Sequence, residues 1–233
     1  MQKILYVHGY NGSPYGSSYQ HLKAACGEVY ELHSIDYDPT QPRTAIQAIR
    51  EYIIANQINI VIGASLGGFL TIYLSGVSRI VVNPCWNPAV ELPLVGYTGP
   101  TEEYEDILAG FPMFHDYEEY HLCSGCFADN DELLGTRYKD IFTRYFANVY
   151  SISDGHRISA QSAHEIIHQH LPHHIAEVRD FCTKLKFVDN APWMSCRPCL
   201  YTIHPTFYLF LKYDLQQLPS RISITNMQHI QCG

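Results

Sequence analysis

Apolar residues along this chain fall into two alternating periods. Short runs rich in β-branched residues, at Lys3–Val7, Val29–Ile35, Ile58–Ile62 and Arg79–Val82, read as buried strands. Between them, Thr44–Ala55 sets Ala45, Ile46, Ile49, Ile53 and Ile54 on one helical stripe, and Gly68–Leu74 is apolar enough for a buried helix. Further along, Tyr120–Ala128 reads as a strand, Thr136–Phe146 as a helix and Asn148–Ile152 as another strand. This β-α-β-α alternation predicts an α/β fold with a mostly parallel, doubly wound sheet and helices on both faces. Right-handed crossovers then bring the loops that follow the strands to one sheet edge, where ligands bind.

The periodicity fails in two places. Between Pro84 and Tyr120 it gives way to Pro, Gly, aromatic and acidic residues, which predicts a cap insertion over about 84–119. Trp86, Tyr97, Phe111 and Phe114 within it could wall an acyl pocket, since large rings bury much apolar area at low entropy cost; a plain covering loop is the alternative. Residues 187–233 mix Cys, Pro and aromatics without a period, and only Thr206–Leu211 reads as a strand. The expected organisation is one domain over 1–186 and a C-terminal extension to which no role is assigned.

The chemistry concentrates at loops after strands. Gly63-Ala64-Ser65-Leu66-Gly67 joins the third strand to the buried helix, and a serine at such a corner is a nucleophile elbow. The glycines allow a sharp turn, and the helix offers its free N–H groups to an anion formed there. The first strand ends in His8-Gly9-Tyr10-Asn11-Gly12-Ser13, where a second N–H for an oxyanion would come from, so the two donors are assigned to the amides of Tyr10 and Leu66. An ordinary strand-to-loop turn is the other reading of that stretch. Asp131 and His156 stand after the next two strands, in the chain order Ser, Asp, His. Of thirteen histidines, only His156 is preceded by glycine at a strand end. Asp131 is favoured as the acid because Glu132-Leu133-Leu134 turn into a helix beneath it. Asp129 is the alternative, and Glu132 is expected to point to solvent.

Taken together, Ile4–Pro14, Gly63–Phe69, Val82-Asn83-Pro84, Tyr97-Thr98-Gly99, Asp131–Leu134 and Gly155-His156 resemble the YqiA/YcfP-like esterases, small α/β hydrolases with a minimal sheet. The resemblance spans about residues 1–185. It implies hydrolysis of carboxylic esters or thioesters, including acyl-CoA thioesters, with the motifs carried over to Ser65, Asp131 and His156. The chain departs from the family at Cys85-Trp86-Asn87-Pro88, where a small aliphatic and a basic residue are usual. An anionic substrate head group is therefore not implied.

Composition narrows the partners. A net charge of −8 leaves no basic footprint for nucleic acid, and an acidic surface argues against reliance on anionic membranes. The N-terminus reads as a strand, no run approaches the apolar length of a spanning helix, and eight cysteines without a secretory signal predict reduced thiols in a cytoplasmic protein. The expected partner is a small-molecule ester or thioester, and no cofactor is needed. A non-catalytic binding protein on the same fold is the main rival function.

Two metal patterns compete with the serine. His164-Glu165-Ile166-Ile167-His168, with His174 beyond, follows a zinc-hydrolase spacing, but Leu171 and Pro172 stand where that motif turns away through a glycine. Pro172 is expected to open a new helix after an exposed connector. Cys123/Cys126 and Cys196/Cys199 are too far apart for a zinc ribbon, and residues three apart in a strand face opposite sides of a sheet.

Overall fold

The β-branched runs form six strands in one sheet, all paired parallel in the order β2-β1-β3-β4-β5-β6. The computed structural model describes residues 1–114 and 117–188, with side chains for all of these except 112–118 and 184–188. The strands are β1 (Gln2–Val7), β2 (Tyr30–Ile35), β3 (Ile60–Ala64), β4 (Ser78–Val82), β5 (Cys123–Ala128) and β6 (Asn148–Ile152). Crossovers run through α1 (Ser17–Cys26), α2 (Pro42–Asn56), α3 (Leu66–Ile72) and α7 (Lys139–Tyr145). Three helices separate β4 from β5: α4 (Pro88–Leu94), α5 (Glu102–Phe114) and α6 (Tyr117–Leu122). The path closes with α8 (Ala160–Glu165) and α9 (Leu171–Val188).

Alternation along the strands feeds two cores. Val61 and Val81 pack on one face with Ile49, Phe69 and Tyr104, while Ile62, Ile80 and Val82 pack on the other with Leu22, Ile166 and Leu171. Cys123 belongs to the first core and Cys126 to the second, so the two thiols lie on opposite faces of the sheet. No described helix is long and apolar enough to cross a membrane.

The structure corrects the sequence reading at two boundaries. Tyr120–Leu122 is the end of α6, and β5 begins at Cys123. The helix carries Glu119 inward, where its carboxylate pairs with buried Arg79 and accepts from the Gly76 amide at 2.9 Å. Pro172 stands in the first turn of α9 as expected, and the second correction concerns the stretch before it. The chain stays helical from Ala160 to Val188, with a π turn at Ile166–His170 in place of a connector. There the Leu171 N–H reaches back to the Ile166 carbonyl, and the wider turn accommodates a proline that has no N–H to give. The predicted strand at 206–211, the Cys196/Cys199 pair and the extension from 189 onward lie outside the described residues.

At the start of β4 and β5, His174 on α9 is wholly buried between two hydroxyls, 2.8 Å from Ser78 Oγ and 2.7 Å from Ser124 Oγ. Burial, reinforced by the charges of Arg79 and His173, pushes its pKa down from 6.5 to about 3. The folded state therefore refuses a proton that the unfolded chain takes up near pH 6.5. The stability this residue supports is complete above that pH and is lost as pH falls toward about 3, at up to about 1.4 kcal/mol per pH unit. His174→Gln keeps hydrogen-bonding capacity but cannot titrate. In urea unfolding followed from neutral pH down to about pH 4, the variant should show a shallower loss of stability than the parent. Equal slopes would contradict this account.

Candidate active site

The corner between β3 and α3 places Ser65 at φ 53° and ψ −117°, a backbone conformation that a residue with a Cβ seldom adopts. Strain of this kind costs of order 1–3 kcal/mol and persists only where the surroundings over-determine it. Here they do. The Ser65 amide donates to the Val82 carbonyl at 3.0 Å, and its carbonyl accepts from the Phe69 amide at 3.1 Å and the Cys85 amide at 3.0 Å. A Cβ on Gly67 would stand 2.2 Å from the Val7 carbonyl oxygen and 2.4 Å from that of His8. Glycine at 67 thus lets α3 press onto the end of β1, which in turn brings Gly9 against Ser65.

Two further loops complete the cluster. His156 Nε2 lies 2.9 Å from Ser65 Oγ, and Nδ1 lies 3.0 Å from each carboxylate oxygen of Asp131. Asp131 Oδ1 also accepts from the amides of Leu133 at 2.9 Å and Leu134 at 2.8 Å. Burial pushes the Asp131 carboxyl upward, but the hydrogen bonds from His156 and these two amides outweigh it and hold the group below its ordinary value. An ionised Asp131 assigns the ring proton to Nδ1 and leaves Nε2 to accept from the serine hydroxyl. His156 is 9% exposed and Asp131 8%, so water has little access to the pair.

Of the two candidate acids, the structure brings Asp131 to His156 and leaves Asp129 exposed. Glu132 does not simply face solvent as expected. Its Oε2 accepts from the His156 backbone amide at 2.9 Å and so ties the loop of the acid to that of the base. Leu66 is the first residue of α3, which leaves its amide without an intrahelical partner, and among the described residues the Tyr10 amide makes no backbone hydrogen bond.

Ser65 and His156 open on a cavity of about 440 Å³. Leu92, Leu94, Val95 and Leu133 supply its apolar wall, and Tyr10 and the Asn11–Ser13 turn also line it. Glu91 pins that wall, because its buried carboxylate accepts from Arg137 at 2.9 Å and from the Tyr138 hydroxyl, both just beyond the Asp131 loop. The rings expected to wall the pocket sit elsewhere. Trp86 packs edge-on against Phe111 and stacks on Tyr145 within the core, and both it and Phe111 lie behind the cavity. Tyr97 donates to the Pro100 carbonyl at 2.9 Å and meets the Tyr10 ring edge-on, so it touches a cavity residue without lining the cavity itself. Large rings proved more valuable to the core than to the pocket. The Phe114 side chain lies outside the described residues. Leu92, Leu94 and Val95 went unread as wall residues, and Asn83, which reaches the loop of His156, was read only as part of the Val82-Asn83-Pro84 motif; the apolar residues of the Pro88-initiated helix were the available signal for the wall.

Among the described residues, no group of His, Cys, Asp and Glu assembles that could hold a metal. His164 and His168 are exposed with ring centroids 4.5 Å apart, whereas His174 has both ring nitrogens engaged in the buried cluster beneath the sheet. Cys85 borders the cavity, but burial, with Glu91 nearby, raises its thiol far above the ordinary range and leaves it a poor nucleophile.

Residues 3–124 match the sequence model of an uncharacterised protein family, UPF0227. No curated protein matches the chain. Among solved structures, Est1E from Butyrivibrio proteoclasticus superposes with a TM-score of 0.60 at 14% identity, over 75% of this chain and 88% of that one. The esterase domain of a Rhodothermus marinus protein gives 0.54 at 14% identity, over 71% and 82%. An α/β hydrolase enzyme from the metagenome of Mar Chica lagoon sediments gives 0.52 at 16% identity, over 77% and 92%. At these identities the likeness is one of fold: the chain has the α/β-hydrolase fold.

The close approach of α3 to β1 yields a direct test. Gly67→Ala forces a methyl group onto backbone oxygens that cannot rotate away, and the resulting overpacking should destabilise the protein by about 2 kcal/mol. Urea denaturation measures this, and an unchanged midpoint would mean that the contact is looser than described.

Proposed function

The chain belongs to this family, UPF0227 (the YqiA/YcfP family), and we propose that it is a serine hydrolase cleaving carboxylic esters or acyl thioesters. The observation that carries the reading is the unbroken hydrogen-bond chain from Ser65 Oγ through His156 to Asp131, set at a strained corner that opens on a cavity. In this mechanism Ser65 Oγ attacks the acyl carbonyl as His156 Nε2 takes its proton. Asp131 holds the ring in the required tautomer and stabilises the imidazolium. The amides of Tyr10 and Leu66 receive the oxyanion. Collapse expels the alcohol or thiol, which His156 protonates. Water activated by the same histidine then releases the acid and restores Ser65.

The apolar wall at Leu92, Leu94, Val95 and Leu133 suits an acyl chain, and the Asn11–Ser13 side suits a more polar leaving group. Among the described residues, free buried thiols at Cys26, Cys85, Cys123 and Cys126 fit a reducing, cytoplasmic setting. A protein that only recognised a ligand would have no use for strain at Ser65 together with an aligned base and acid.

Ser65→Ala should abolish labelling by a fluorophosphonate probe and lower turnover of a short-chain aryl ester by several powers of ten, with the fold retained. Labelling that survives in this variant would overturn the proposal. Asp131→Asn should cost about three to four powers of ten in kcat, while Asp129→Asn stays close to the parent. The reverse ranking would move the acid to Asp129. Turnover should also resist a strong chelator; activity lost on chelation and regained with zinc would point to metal-activated water instead.

A further inference from the structure

Asn83 follows β4 directly, is 2% exposed and holds φ at 44°, in the left-handed region that asparagine tolerates better than other residues with a Cβ. All its side-chain hydrogen-bonding groups are occupied by backbone from two separate loops. Oδ1 accepts from the Ala128 amide at 2.7 Å, at the end of β5. Nδ2 donates to the Gly155 carbonyl at 3.2 Å and to the His156 carbonyl at 3.1 Å. The amide orientation is forced, because a flipped group would set oxygen against two carbonyls and nitrogen against an N–H.

The neighbours of Asn83 hold the other partner of the pair. Val82 accepts the Ser65 amide, and Cys85 donates to the Ser65 carbonyl. The four residues 82–85 therefore grip the backbone of Ser65 on both sides and that of His156 on one. Glu132 grips His156 on the other side through its amide. The 2.9 Å contact between Ser65 Oγ and His156 Nε2 thus spans two backbones referred to one short segment of chain.

We propose that Asn83 is a positioning residue that sets His156 at reacting distance from Ser65. This inference rests on the reading of Ser65 and His156 as nucleophile and base. Misplacement by about 1 Å can cost on the order of 100-fold in rate without weakening substrate binding. Asn83 touches no substrate, so the effect should fall on kcat and leave KM nearly unchanged.

Two variants remove the donors while sparing other features. Asn83→Asp keeps an oxygen for the Ala128 amide, and Asn83→Gly keeps a backbone at ease with positive φ. Each folded variant should lose about 10- to 100-fold in kcat toward an aryl ester, with fluorophosphonate labelling slowed in parallel. The downfield resonance of the His156 Nδ1 proton should broaden or shift. A folded variant with parental kcat and an unaltered resonance overturns the proposal, as does a change confined to thermal stability. Should both variants fail to fold, hydrogen exchange of the Asn83 side-chain amide in the parent protein decides: slow exchange supports the clamp and exchange as fast as a solvated amide overturns it. Ser65→Ala assayed alongside separates the two levels. If it is fully active, the hydrolase reading fails; if it is inactive while folded Asn83 variants match the parent, only the positioning role fails.

Discussion

The parallel pairing of β3 with β4 carries the strained corner on which the active edge is built. β3 is followed by a residue whose backbone conformation is unfavourable by itself, and hydrogen bonds from the next strand and the loop after it help to hold it there. The carbonyl of Val82 and the amide of Cys85 close on Ser65 from either side, while glycines let α3 and the β1 loop close on it from above. None of these contacts is strong alone. A backbone hydrogen bond contributes about 1 kcal/mol net, comparable with the strain it offsets. The corner survives because several such contacts converge on one peptide.

The opposite end of the sheet has another character. Arg79 pairs with Glu119 in a dry setting, and His174 sits neutral between two serine hydroxyls. Desolvation makes such a cluster a weak source of net stability, although breaking any member leaves an unmatched polar group. Its value is as a specification: it joins α6 and α9 to the starts of β4 and β5 in a single arrangement. The polar groups of the candidate site are thus gathered at one end of the strands and the buried polar cluster at the other, with an apolar layer on each face of the sheet.

The fold was legible because each buried strand wrote its signature in consecutive β-branched residues, and Gly67 and Ser65 announced the corner by local chemistry. The meeting of His156 and Asp131 with Ser65 was legible for a related reason, since a parallel sheet sends every strand end to the same edge. Three features were hidden. Trp86 and Phe111 looked like pocket walls because sequence carries ring size but not the direction in which a ring points. Glu132 looked like a solvent-facing acid because its partner is a backbone amide twenty-four residues away. The stretch before Pro172 looked like a connector because a π turn has no sequence pattern of its own.

β6 is an edge strand, paired with β5 alone, and only Ile152 of its five residues is buried, whereas all five of β3 are. The loop that carries His156 therefore follows an edge strand with a single buried residue, and the corner at Ser65 follows a strand buried throughout. Local opening draws first on segments with few apolar contacts, so thermal fluctuation would detach the histidine from the serine while the central strands remain intact. If Ser65 and His156 act together as proposed, warming would then silence the site before it melts the sheet, because their contact joins a loop after an edge strand to a corner after a fully buried one.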